Sequence, residues 1–437
     1  MISGSYFKVR GGEELFGEFL VQGAKNAVLK QMAATILATG EHHLYNVPRI
    51  LDVEIMAELL ASLGIVCEWA GDDHLVAITP TAQNIKPFAD YELVERIRAS
   101  VTVLGPLIGR LGTATISMPG GDDFGHRPID MHLAAISELG AKFTTSHGYV
   151  EGHAAKLYGA HVTLEFPSHT GTDNILMASV LAKGTTTIQN TAREPEVGDL
   201  AAMLNSMGAN ITGIGSSTLV VEGVEKLCPA SHWVIPDRVD AATALGAVAM
   251  NHGEVLVRGA RYDHMEMLLR KFRETGLEII SDSNGIVVKS TSRITAVNIA
   301  TLPYPGIATD YLPILVAVLS TADRDSIVTE NLFAGRFRYV DELRRLGASM
   351  TTHGHHVAIR GVAKLQGAPV KATDIRAGAA LLVAGLAAEG ETRIHGITHI
   401  QRGYVDLVRR FNELGAKVEL VQDPPTTNST TGLAETS

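Results

Sequence analysis

Six cationic side chains stand out because each sits in a short apolar, glycine-bearing segment: Lys25 in VQGAKNAVL, Arg98 in RIRASVTVLGP, Arg127 in GGDDFGHRPIDMH, Arg336 in LFAGRFRYV, Arg376 in TDIRAGAA and Arg402 in HIQRGY. Any one of them alone reads equally well as a helix cap or as the partner of a surface carboxylate. Together, spread over the whole chain, they describe a clamp for a small polyanion, because guanidinium forks and ammonium groups hold phosphate and carboxylate oxygens through charge-assisted hydrogen bonds. Two carboxylate positions could move protons beside such a clamp. Asp122 and Asp123 follow Gly120-Gly121 in the loop that carries Arg127, and Asp310 lies in GIATDYLP between apolar runs. Neighbouring arginines depress a carboxyl pKa and suit the group to act as base or ionic partner, whereas desolvation raises it toward acid duty. A pair of aspartates in a glycine-rich loop is also common as a solvated turn.

Other chemistries fit poorly. The sequence has no GxxxxGK[ST] phosphate loop and no HExxH motif, and His353, His355 and His356 in THGHHVAIR read as a hairpin turn rather than a metal site. No metal and no cofactor is expected. Cys67 and Cys228, the two cysteines, are too few and too far apart for a disulfide framework. The formal charge of −10 argues against nucleic acid or an anionic membrane as partner, since the long-range field repels both. No run of apolar residues is long enough to span a bilayer, and Met1–Arg10 lacks a signal-peptide pattern, so a soluble, cytoplasmic protein is expected.

The elements that must carry these residues are written as a repeat. A helix ending in Leu-Gly-Ala or a near match, followed by a strand, recurs with its glycine at Gly64, Gly140, Gly208, Gly276, Gly347 and Gly415, at intervals of about 70 residues. Glycine suits a helix end because the left-handed backbone there penalises a Cβ. A second phrase interleaves with it: a small-residue helix, then Gly40, Gly112, Gly184, Gly253 or Gly390, then a short strand; the copy at VAVLSTADRDSIVTE lacks the glycine. Each unit therefore reads as a βαβαββ-like module. The alanine-rich helices, such as that over Ala377–Leu386, are apolar nearly all round and so should be buried. Six modules in 437 residues, a length at which single cores split, give an α/β protein of two domains with three modules each, helices inside and sheets outside. Strong helix burial disfavours the alternative, an open solenoid. Residues 422–437, rich in Thr, Ser and Pro, read as a disordered tail.

Specific motifs then converge. GAKNA at Gly23–Ala27, RAS and LGP within Arg98–Pro106, PGGxxxGxRPxDxH at Pro119–His132, NxAREPE at Asn190–Glu196, PDR at Pro236–Arg238, TD at Thr309-Asp310, TDxRA at Thr373–Ala377 and HIxRGY at His399–Tyr404 together resemble the UDP-N-acetylglucosamine 1-carboxyvinyltransferases, a family of enolpyruvyl transferases. The resemblance implies an inside-out α/β barrel of two threefold domains with the active site in the cleft. It also implies boundaries that give 25–235 as the first domain and 1–24 with 236–421 as the second. It assigns phosphoenolpyruvate to Lys25 and Asn26, and its phosphate and carboxylate to Arg127, Arg336, Arg376 and Arg402. The segment Arg127, Pro128, Ile129, Asp130 and Met131 resembles the uracil site, with Arg98 nearby. Ser168 and His169 fall in the diphosphate loop. Asp310 and the backbone of Leu332 resemble the sugar contacts, with Asp310 as the base that takes the acceptor hydroxyl's proton. The implied reaction is addition followed by elimination, from phosphoenolpyruvate to the sugar 3-hydroxyl of UDP-N-acetylglucosamine, with release of phosphate, at the first committed step of peptidoglycan synthesis.

The sequence departs from the family pattern at several places. Asp122 stands where the family has a reactive cysteine; a carboxylic acid can still serve as general acid, and whether Asp122 or Asp123 does so is open. The diphosphate loop reads Ser168-His169-Thr170-Gly171-Thr172 in place of Ser-Val-Gly-Ala-Thr, Leu312 replaces a glutamine, and Ala334-Gly335 precedes Arg336. These changes keep open a second acceptor, UMP or another uridine nucleotide of nucleoside-antibiotic biosynthesis. A third reading is a binding or RNA-end-processing protein on the same architecture; the joint presence of Lys25, Asp310 and Arg402 disfavours it.

Overall fold

The computed structural model describes residues 4–118, 120, 129–333 and 335–422. Among these residues the strands fall into six sheets of four. In one module, His161–Thr163 and Thr185–Gln189 run parallel (Val162 opposite Ile188), separated by the helix His169–Ser179. After a second helix, Pro195–Ser206, the strands Asn210–Thr212 and Thr218–Glu222 complete the sheet, Thr218–Glu222 pairing antiparallel with Thr185–Gln189. This is the βαβαββ unit that the sequence repeat suggests. Val162, Ile188, Ile211, Leu219 and Val221 turn inward and are buried, while the alternate residues face solvent.

The helices written in small residues form the interior. Arg238–Asn251, Leu312–Leu319 and Ile375–Ala387 pack on one another in one half; in the other, Leu104–Leu111 packs on His169–Ser179, and Lys25–Ala34 packs on Leu51–Ser62 and Pro195–Ser206. Every residue of Leu312–Leu319 is buried, and of Ile375–Ala387 only Ala387 is not. Small side chains permit the close approach: a Cβ on Gly105 would collide with the carbonyl oxygen of Asn174. Asn174 also ties the same contact, accepting from the Gly105 N–H at 2.9 Å and donating to the Val101 carbonyl at 3.1 Å. Both sets of repeat glycines adopt positive φ, from 88° to 104° at the six helix ends. The copy without glycine turns at Asp323-Arg324 with no left-handed residue; there Asp323 instead accepts from the Ala296 N–H at 2.8 Å.

Buried apolar side chains divide into two clusters, one running from Ala24 to Val234, the other combining Phe7–Val21 with Val239–Val418. The first strands explain the division. Ser5–Arg10 inserts between Glu391–His395 and Lys417–Gln422, and Leu15–Leu20 runs parallel to Gly253–Arg258. The chain crosses between the clusters twice, side by side: the Ala24 N–H meets the Ile235 carbonyl and the Asp237 N–H meets the Gln22 carbonyl, each at 2.8 Å. Asp237 caps the helix that begins at Arg238 and also accepts from the Lys25 N–H at 3.2 Å, so one carboxylate ends both crossings. No helix among the described residues is long and apolar enough to cross a membrane.

Beside these crossings a buried ion pair bridges the two clusters, the Arg238 Nε donating to Glu196 Oε1 at 2.9 Å. Burial alone would raise the Glu196 carboxyl, but Arg238, and after it His169, hold it down to about 2 from an ordinary 4.5. Because the folded value lies below the unfolded one, the stabilisation is complete above pH 4.5 and is lost as pH falls toward 2. Glu196→Gln should therefore lower the unfolding free energy by about 3 kcal/mol at neutral pH. In urea titrations the gap to the unaltered chain should close below the carboxylate range; a gap constant with pH would contradict a charge-dependent bridge.

Candidate active site

Two adjoining chambers open between the halves. The smaller, about 250 Å³, is walled by Lys25, Lys30, Asp52, Arg336, Arg376 and Arg402. The larger, about 510 Å³, is walled by Asp130, Met131, Ser168, Arg238, Tyr304 and Leu332 among others. Asn26, Arg98, His169, Thr170, Asp310 and Phe333 line both and mark where the chambers meet.

Local structure aims each cation. Lys25 opens the helix Lys25–Ala34, directly after the crossing whose N–H groups are already spoken for. Arg376 opens Ile375–Ala387, where Asp374 caps the helix by accepting from the Arg376 and Ala377 N–H groups at 2.9 and 3.0 Å. Its guanidinium lies over the Tyr404 ring, 5.5 Å from the centroid. Arg336 begins the short turn Arg336–Tyr339 and is almost wholly buried; Arg402 follows the turn Thr398–Gln401.

Two carboxylates hold the cations together. Asp310 accepts from the Asn26 side-chain amide at 3.1 Å and from Arg376 at 3.3 Å, with Arg336 at 3.5 Å from its other oxygen. Asp52 lies 2.9 Å from the Lys25 ammonium and accepts from Arg402 Nε at 2.8 Å. Burial pushes the Asp310 carboxyl upward, but Arg376, Arg336, the Asn26 amide and Lys25 overturn that and hold it far below the usual carboxylate range. The cations around it thus hold Asp310 in its anionic form.

The expected residues meet as follows. Lys25, Asn26, Asp310, Arg336, Arg376 and Arg402 converge on the smaller chamber, and Arg98 reaches both. Asp130 and Met131 line the larger chamber, while Ile129 beside them is buried. Ser168 caps the helix His169–Ser179, its Oγ accepting from the Gly171 N–H at 3.1 Å. The Leu332 N–H is taken by Glu330 at 2.6 Å, and Leu332 lines the larger chamber. Asp122, Asp123, Arg127, Pro128 and Ala334 lie outside the described residues.

Several residues at the site gave no sequence signal. Asp52, the link between Lys25 and Arg402, is the second residue of the helix Leu51–Ser62, where an acid is ordinary because it favours the helix dipole. Lys30, one turn after Asn26 on the same helix, looks like a surface lysine in sequence, yet it is buried and donates to the Asn26 carbonyl. Arg238 was visible within a motif but without a role; it also donates to the Tyr311 hydroxyl at 3.0 Å and lies 5.5 Å from the Tyr304 ring centroid. Among the described residues no cluster of three or more His, Cys, Asp or Glu side chains is placed to hold a metal ion, and His353 and His356 flank a two-residue hairpin turn as read from sequence. Burial pushes the Cys67 thiol up to about 12, and neither it nor the exposed Cys228 lines a chamber.

Comparison with known proteins identifies the family. The family described as EPSP synthase (3-phosphoshikimate 1-carboxyvinyltransferase) matches residues 9–411. The UDP-N-acetylglucosamine 1-carboxyvinyltransferase of Mycobacterium leprae is 48% identical over 415 residues, 95% of this chain and 99% of that protein. The corresponding protein of Nocardia farcinica is also 48% identical, over 95% of this chain and 98% of its own length. Among solved structures, the enolpyruvyl transferase NikO from Streptomyces tendae superposes with a TM-score of 0.86 at 24% identity, covering 96% of this chain and all of that one. EPSP synthase from Acinetobacter baumannii superposes at 0.75 with 18% identity, over 95% of this chain and all of that one. The repeat, the two chambers and these matches carry one conclusion: the chain belongs to the EPSP synthase family of enolpyruvyl transferases, and within it to the UDP-N-acetylglucosamine 1-carboxyvinyltransferases.

Proposed function

We propose that the chain is a cytoplasmic transferase that moves the enolpyruvyl group of phosphoenolpyruvate to the 3-hydroxyl of the sugar of UDP-N-acetylglucosamine and releases phosphate, the first committed step of peptidoglycan synthesis. The observation that carries this reading is the meeting of two chambers at Asp310, one ringed by cations and one twice as large with mixed polar and aromatic walls. The two domains of this reading are residues 25–235 and 1–24 with 236–421, their cleft holding both substrates.

In this reading Lys25, Arg336, Arg376 and Arg402, with Arg127, hold the phosphate and carboxylate of phosphoenolpyruvate, and Asn26 positions it against Asp310. The larger chamber takes the nucleotide, its uracil toward Asp130 and Met131. A carboxyl in the loop of Asp122 and Asp123 protonates C3 as the acceptor hydroxyl adds to C2, and Asp310 accepts the hydroxyl proton. The loop carboxylate, deprotonated by the first step, takes a proton back from C3 of the phospho-ketal as the C2–O bond to phosphate breaks, and the arginines stabilise the negative charge of the departing phosphate. Asp310 is a weak base while four cationic or donor groups face it alone. Phosphoenolpyruvate brings its own negative charge into that field and so raises the carboxylate's proton affinity when the acceptor is in place.

A second reading, with UMP as acceptor, is favoured by one feature: the helix start at Ser168 presents the side chains of His169 and Thr170 at the chamber junction. Phosphate release with phosphoenolpyruvate decides between them. Turnover should be sustained by UDP-N-acetylglucosamine and not by UMP or UDP; turnover on UMP alone would move the assignment out of cell-wall synthesis. Asp310→Asn should lower kcat by about 10²- to 10⁴-fold while the KM of the acceptor changes little, and phosphate release unaffected by the change would remove the proposed base. With Asp122 where the family has its cysteine, fosfomycin should neither inhibit nor form an adduct. A mass increase of the intact protein after incubation with fosfomycin would contradict that.

A further inference from the structure

Glu330 is wholly buried and lines neither chamber, yet the groups that donate to its carboxylate come from three segments that wall the larger one. Its Oε1 accepts from the Leu332 N–H at 2.6 Å, the Phe333 N–H at 3.2 Å and the Thr301 hydroxyl at 2.9 Å, and its Oε2 accepts from the Thr309 hydroxyl at 2.7 Å. A carboxylate is an acceptor at both oxygens and so suits four donors at once. The Thr301 hydroxyl in turn accepts from the Asn331 N–H at 2.8 Å. The backbone of Glu330 is pinned as well: its N–H donates to the His355 carbonyl and its carbonyl accepts from His355 Nδ1, each at 2.8 Å.

Thr309 begins the short turn Thr309–Tyr311, which carries Asp310 and has no side-chain cap of its own. The contact with Glu330 therefore ties down the start of that turn. On the other side of Glu330, the Phe333 carbonyl accepts from the Arg336 N–H at 3.2 Å, and the Arg336 guanidinium stands 3.5 Å from Asp310. These contacts close a ring: Asp310 is held from the chamber side by Arg336 and from behind through Thr309 and Glu330.

We propose that Glu330 is a positioning residue for the transfer: it joins the turn that carries Asp310 to the Leu332-Phe333 wall of the larger chamber, and so sets the distance from that base to the acceptor hydroxyl. The inference rests on the functional reading above, in which Asp310 is the base and the larger chamber takes the acceptor. The two ends of the link are separable by length. Leu332 and Phe333 follow Glu330 closely in the chain, so a shorter carboxylate still reaches their N–H groups, as aspartate does in a turn. Thr309 lies 21 residues away and needs the full reach of glutamate.

Thr309→Val, Thr309→Ser, Glu330→Asp and the pair Thr309→Val with Glu330→Asp test this. Thr309→Val and Glu330→Asp should each lower kcat about tenfold with the KM of phosphoenolpyruvate within about twofold, and Thr309→Ser, which keeps the hydroxyl, should recover most of the rate. The paired variant should be no slower than either single one, because both changes cut the same bond. Amide exchange at Tyr311 and Leu312 should speed up about tenfold in Thr309→Val and in Glu330→Asp, while Leu332 and Phe333 keep their protection in Thr309→Val. A fall in thermal stability with kcat unchanged would leave Glu330 with a structural role alone and overturn the inference. So would losses that multiply in the paired variant, no recovery with serine, or unchanged exchange at Tyr311 and Leu312. The functional reading fails separately, by absence of phosphate release from the unaltered chain with every uridine nucleotide; the exchange comparison needs no turnover and still decides whether Glu330 holds the turn.

Discussion

Bringing Lys25, Arg336, Arg376 and Arg402 to one small chamber is electrostatically costly, and the two carboxylates that offset the repulsion shape the site. Asp52 neutralises Lys25 and Arg402, and Asp310 neutralises Arg336 and Arg376. Each carboxylate spans the cleft: Asp52 and Lys25 come from the first cluster and Arg402 from the second, while Asp310 accepts from Asn26 of the first and Arg376 of the second. Because buried charges without partners are penalised severely, the clamp is stable only with both halves in place. The chamber is thus a property of the interface and cannot be assigned to either half.

That dependence reaches into the backbone. Asp237 ends both crossings, and Asp240, three residues on, forms a buried ion pair with Arg410 at 2.7 Å while accepting from the Gln22 N–H at 3.1 Å. The start of the helix carrying Lys25 is therefore fixed by carboxylates of the second cluster. Nearby, Arg238 reaches back to Glu196. Buried polar contacts thus set the angle between the halves, where the sheets and alanine-rich helices set only the halves themselves.

The same distinction explains what sequence could and could not disclose. The module was legible because two local rules write it: glycine where a helix ends in positive φ, and apolar alternation on strands with one buried face. Gly208 and Gly347 adopt the backbone their positions suggest. At the turn Asp323-Arg324 the glycine's place before the strand is held by Arg324 without a positive φ. The cations were legible because an arginine in an apolar segment needs a partner. Asp52 was not, since an acid in a first helical turn already has a local reason to be there, and its real partners lie near in space but far apart in sequence. Lys30 was hidden for a related reason: the spacing of four from Asn26 suits any surface helix, and only the packing of His169–Ser179 against it shows that the ammonium is enclosed.

The two chambers divide the recognition problem by kind. In the smaller, the charges are formal, close and paired in advance, so an anion entering it meets cations already held in position. This requires little reorganisation, which is what electrostatic stabilisation of a developing charge needs. In the larger, Tyr304, Leu302, Phe333 and Met131 offer apolar surface beside the charged Arg98, Asp130 and Arg238, and several of its polar groups are already engaged: Ser168 by Gly171, the Leu332 N–H by Glu330, Arg238 by Glu196. Such a wall selects by shape and by the direction of a few hydrogen bonds. Changes in the loop that begins at Ser168 can therefore alter which acceptor fits without disturbing the clamp around Asp310. The clamp of paired charges around Asp52 and Asp310 and the loop that begins at Ser168 are held by different contacts, so one can change while the other stays.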